Sequence, residues 1–139
     1  MNKERRKKQM KVFIVYCHPS EDSFTRNVRD AFIKGIVDSG NEYDMSDLYK
    51  MNFKTDMSEK EYLRDSNYST EPGLESDVLA EQTKINSADA IVFIYRVKES
   101  DFIVFDGMSK ARDSRKTNWD KYLDIAYRKG YDLCIRRNS

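Results

Sequence analysis

The chain has 139 residues, enough for one domain with a single core, and 39% of them are apolar, which fits a globular protein. Its 25 basic and 24 acidic residues nearly cancel, so no global field for nucleic acid is expected. No apolar run approaches the roughly 18 residues that a membrane span needs, and the N-terminus lacks the apolar core of a secretory signal.

In chain order, residues 2–9 read NKERRKKQ, a basic polar stretch with no apolar face to bury. We expect residues 1–9 to be a disordered tail, with Met10 as the natural start and the preceding residues as translated leader. Val12-Phe13-Ile14-Val15-Tyr16-Cys17 is a short β-branched and aromatic run, the pattern of a strand buried on both faces in a parallel sheet. A polar loop, His18–Ser23, leads to Phe24, Val28, Phe32 and Ile36 at four-residue spacing, one face of a helix capped by Asp22 or Ser23. Gly40 closes this unit, and Glu42–Leu48 reads as a weaker second strand.

Further along, a short helix is expected near Ser58–Asp65, and Glu71-Pro72-Gly73 is a turn. Leu74, Val78, Leu79 and Ile85 predict a helix ending near Ala88. Asp89–Tyr95 repeats the character of the first strand. Alternating strands and helices imply a parallel α/β sheet, ordered 2-1-3, with right-handed crossovers and helices on both faces. After Tyr95 the pattern changes. Phe102–Phe105 and Leu133–Ile135 read as strands, and Trp119, Tyr122, Leu123 and Ala126 as a helix face. Up to Tyr95 there are 14 basic and 17 acidic residues, and beyond it 11 basic and 7 acidic, a change of sign.

The segment with chemistry is the loop His18–Thr25. It follows a buried strand and opens a helix, whose free amides and positive dipole end favour an anion. Ser20, Ser23 and Thr25 add hydroxyl donors. The loop has no glycine, so it is neither a dinucleotide fingerprint nor a Walker loop. An ordinary capped βα loop has the same features. The only histidine, His18, excludes a multi-histidine metal site, and no metal is expected. Cys17 and Cys134 lack metal spacing and suit reduced thiols in a cytoplasmic protein.

Residues Met10–Tyr95 resemble the flavodoxin-like NAD(P)H:quinone reductases. Three motifs in order carry the likeness: His18-Pro19-Ser20-Glu21-Asp22-Ser23-Phe24-Thr25 for the family's H-P-x-x-x-S-F-[NT], Asp47-Leu48-Tyr49 with Phe53 and Asp56, and Ser87-Ala88-Asp89 through to Tyr95. The resemblance implies a flavodoxin-like fold and a bound FMN or FAD, with NAD(P)H as electron donor and a quinone-like acceptor. It implies cofactor contacts from His18, Ser20, Ser23, Phe24, Thr25 and Tyr95, with Asp47 as a strand-end cap and Tyr49 as a packing aromatic. A homodimer is a further expectation; no nucleic-acid partner is. Beyond Tyr95 the family's P-x-x-W motif is replaced by Arg96-Val97-Lys98-Glu99, and the later glycine-rich loop is missing. Residues 96–139 are therefore expected to be a divergent, frameshifted or truncated tail that leaves the sheet incomplete and the enzyme weakly active. Two alternatives stay open: an α/β fragment without flavin, and a flavodoxin-type electron carrier.

Overall fold

The computed structural model describes residues 9–95 and 112–133, with side chains from 119 onward in the second stretch. The elements in order are β1 (Lys11–Cys17), α1 (Phe24–Asp38), β2 (Glu42–Asp47), α2 (Glu59–Ser66), α3 (Ser76–Ser87), β3 (Ala90–Tyr95) and α4 (Arg112–Leu133). The strands form one parallel sheet in the order β2-β1-β3, as expected. β1 pairs with β2 from Lys11↔Glu42 to Tyr16↔Asp47, and with β3 from Val12↔Ala90 to Cys17↔Tyr95. The amino ends are tied together: the Glu42 amide donates to the Met10 carbonyl at 2.9 Å, and the Lys11 amide donates to an Asp89 carboxylate oxygen at 3.0 Å.

Because side chains alternate along a strand, β1 presents two different faces. Val12, Ile14 and Tyr16 are buried beside Phe32 and Ile36 of α1, with Met45, Val92, Ile94 and Leu133 packed around them. α4 lies against α1 at very short range. A Cβ on Gly35 would meet the Tyr127 carbonyl oxygen at 2.1 Å, and one on Gly130 would meet that of Phe32 at 2.2 Å. Both glycines are therefore required by backbone-to-backbone approach. Tyr122 and Ala126 are buried, as the sequence pattern of that helix predicts.

The opposite face carries Phe13, Val15 and Cys17 of β1. Phe13 is buried here, and the hydrogen bonds that tie α3 to the sheet are polar side-chain ones. The fully buried Ser46 hydroxyl donates to Glu81 at 2.6 Å and accepts from Lys84 at 2.8 Å, and Lys84 also bonds Glu81. No residue of α3 is buried.

Several expectations change. β3 is not buried on both faces: Ile91, Phe93 and Tyr95 are exposed, at 43%, 65% and 57%, because α3 bonds to the β2 side and, among the described residues, no other helix covers their face. Leu133 does not begin a strand; it ends α4 and packs on the core. Cys134, Ile135 and Phe102–Phe105 lie outside the described residues, as do residues 1–8. Tyr49 is 60% exposed rather than a packing aromatic, since it lies in the turn after β2. Asp47 does act as an end cap, its carboxylate accepting from the Lys50 amide at 3.1 Å. The short helix begins one residue late, at Glu59, with Ser58 and Glu61 forming a reciprocal capping box.

Candidate functional site

β1 is the central strand: α1 carries the chain to β2 on one side of it, and the connection from β2 crosses back to β3 on the other. In open parallel sheets this reversal opens a crevice at the carboxyl ends of the strands, where ligands bind. His18 follows directly on β1 at that end, and Tyr95 ends β3 there, opposite Cys17 in the register.

The loop is built by short side-chain-to-backbone bonds. The Ser20 amide lies 3.0 Å from His18 Nδ1, which is also 3.1 Å from the Ser20 carbonyl, so the imidazole braces the turn in either tautomer. The Ser20 hydroxyl accepts from the Asp22 amide at 3.2 Å. Ser23 is the N-cap of α1, in extended conformation, its hydroxyl accepting from the Arg26 amide at 3.1 Å. Of the two expected caps, the structure selects Ser23. In both serines the bonded hydroxyl oxygen is an acceptor, so the O–H hydrogens remain as donors. Thr25 occupies the second position of α1, where an amide has no intrahelical carbonyl to bond.

The first turn of α1 contains no acidic residue, whereas α2 opens with Glu59 and Glu61 and α3 with Asp77. Acidic side chains normally compensate a helix dipole at this end. Hydroxyl donors, an N2 amide and a helix end with no acidic residue in its first turn fit a phosphate.

The structure thus gathers His18, Ser20, Ser23, Phe24 and Thr25 in one loop, with Tyr95 across the β1–β3 boundary. It gives Phe24 a structural partner as well: its ring stands edge-on to Trp119 of α4, with centroids 4.7 Å apart, so the start of α1 is anchored to α4. Two flanking cations were missed by sequence reasoning. Arg26 and Lys50 lie 3.5 and 3.6 Å from the two oxygens of Glu21. Arg26 was visible as a basic residue in a first turn. Lys50 sits in the next βα connection, and only the pairing of β1 with β2 brings it near. Arg29 lies over the buried Tyr16 ring at 4.5 Å, which holds the second turn of α1 to the sheet. Hollows at the amino ends of β1 and β2, and on α4, lie away from this loop.

Perturbed groups cluster elsewhere, at the far end of α1. Lys34 donates to Asp38, and the Tyr127 hydroxyl donates to the same carboxylate oxygen at 2.9 Å. These bonds, the Lys34 one foremost, hold the Asp38 carboxyl below the usual carboxylate range. Among the described residues no helix is long and apolar enough to cross a membrane.

Known proteins agree with this architecture. The chain is 27% identical over 96 residues to a ribosyldihydronicotinamide dehydrogenase-like protein of Penicillium crustosum, a stretch covering 60% of this chain. That stretch spans only 36% of the fungal protein's length. The NAD(P)H:quinone oxidoreductase of Methanothermobacter marburgensis superposes with a TM-score of 0.71 at 25% identity, covering 90% of this chain and 97% of that one. The structural likeness therefore runs well past Tyr95. Residues 10–97 match the family described as the flavodoxin-like fold, and the chain belongs to that family.

Proposed function

We propose that this chain is a flavin-dependent NAD(P)H oxidoreductase acting on quinone-like acceptors, with FMN or FAD held by its phosphate at the β1–α1 loop. The observation that carries the reading is the loop itself. A hydroxyl-rich, glycine-free turn, capped by Ser23, meets the amino end of α1, whose first turn holds no acidic residue, at the carboxyl edge of the central strand. The quinone oxidoreductase likeness supports the reaction class.

When bound, the flavin supplies the redox chemistry, and the protein's part is to bind and orient it. The Ser20 and Ser23 O–H groups and the Thr25 amide donate to phosphate oxygens. His18 keeps the turn closed through Nδ1. Phe24, braced by Trp119, holds the helix end in position. Tyr95, at the end of β3, would contact the flavin from the neighbouring strand.

The test separates binding from folding. Ser23→Asp retains a side chain that caps a helix, yet places a carboxylate against the phosphate. Fluorescence titration with FMN should show at least about a tenfold loss of affinity, the order expected when a charge-assisted bond is replaced by repulsion, with the melting temperature unchanged. Equal affinity in the variant would remove the loop from the site. A protein that binds FMN but does not oxidise NADH or NADPH in the presence of a quinone would be an electron carrier instead.

A further inference from the structure

The flavin reading leaves Glu21 without a role, although it lies in the middle of the loop. Its two carboxylate oxygens face two cations from different elements. Oε2 is 3.5 Å from Arg26 Nη1, in the first turn of α1, and Oε1 is 3.6 Å from Lys50 Nζ, in the connection after β2. Arg26 Nη1 also donates to the Glu21 carbonyl at 2.8 Å, so the guanidinium is folded back onto the loop. The carboxylate stands where an anion at the mouth of this loop would be met by both cations.

We propose that Glu21 is an internal counter-anion that sets the phosphate affinity of the loop. It holds Arg26 and Lys50 when no phosphate is present and yields them to a phosphate ester that binds. The proposal rests on the flavin reading above and specifies how that site is tuned.

The physical case has three parts. All three side chains are substantially exposed, at 39%, 63% and 75% for Arg26, Glu21 and Lys50, so each ion pair is weak and exchanges readily. A phosphate carries more charge than a carboxylate and offers more acceptor oxygens, so it competes well for a guanidinium and an ammonium. Finally, Asp30 lies 3.7 Å from Arg26 Nε but is itself held by Arg29 at 2.7 Å, so Glu21 and Asp22 are the acidic charges that an incoming anion meets at the loop. The loop therefore opposes an incoming anion until Glu21 turns away, and removing the Glu21 charge lifts that opposition.

The test titrates the full chain and its Glu21→Gln variant with FMN and with riboflavin, which lacks the phosphate. Glu21→Gln should bind FMN about three- to tenfold more tightly, the range set by two exposed ion pairs, with riboflavin binding and melting temperature unchanged. The gain should shrink at high salt, and adding Lys50→Ala to Glu21→Gln should cancel much of it. Wild type that binds FMN with a variant that binds it no better would overturn the role of Glu21 and leave the flavin reading intact. An equal gain for riboflavin would also overturn it, because the effect would not be electrostatic on phosphate. No FMN binding by either protein would overturn the flavin reading and this proposal with it.

Discussion

The two faces of the sheet are held by different forces. On the α1 side, Val12, Ile14, Tyr16, Phe32 and Ile36 form a dry cluster, and α4 seals it through contacts so short that only Gly35 and Gly130 fit. On the α3 side Phe13 is buried, but the bonds to α3 come from the polar Ser46–Glu81–Lys84 group, and Ile91, Phe93 and Tyr95 of β3 are exposed. The contrast separates two things a hydrophobic strand conveys. The run of apolar residues marks a strand, but whether both its faces are covered depends on where the crossover helices land.

Truncation should show the largest difference between the faces. Ile36→Ala removes a fully buried side chain and is expected to cost about 2–5 kcal/mol in denaturant unfolding. Phe93→Ala, on the open face, should stay within about 0.5 kcal/mol despite the larger side chain lost. A large cost for Phe93→Ala would mean that something covers β3 in solution.

A smaller effect is expected at the polar anchor. Ser46→Ala removes the buried hydroxyl shared by Glu81 and Lys84, and should cost about 1–2 kcal/mol. Because α3 has no buried residue of its own, its amides should then exchange with solvent faster, while those of α1 keep their protection. Uniform loss of protection would show that α3 is bound as tightly as α1.

The smallest effect concerns Asp38, which joins α1 to α4 through Tyr127. Its carboxyl is held low by the bond from Lys34 and then by that from Tyr127. The sign follows from the lowered folded-state value. The stabilisation is present above the unfolded carboxylate range and is lost as pH falls through the folded value. Asp38→Asn should therefore melt slightly below wild type near neutrality, and the gap should close in acid. A gap that widens in acid would contradict this.

Much of the fold was legible. β1 and the face of α1 have an unambiguous period, and Ser23 stands where a helix cap belongs, so strand, loop and helix could be placed residue by residue. The candidate cofactor residues His18, Ser20, Ser23 and Thr25 were legible for the same reason, being contiguous in one βα loop. Lys50 was not, because a charged residue in a polar connection carries no periodic signal and reaches Glu21 only through strand pairing. Leu133 read as part of a strand because Leu-Cys-Ile is short and apolar, and a short apolar run does not distinguish a strand from the end of a helix.

What the sequence alone determined is local: where strands and helices begin, which loop carries the hydroxyls, and which residues of β1 and α1 turn inward. These depend on side-chain spacing and backbone preference within a few residues. Tertiary structure decided which face of β3 stays open, that Gly35 and Gly130 meet the backbones of opposite helices, and that Glu21 draws together cations from a helix and a loop. Those outcomes depend on the placement of whole elements, and that placement is set by the summed packing of residues far apart in the chain.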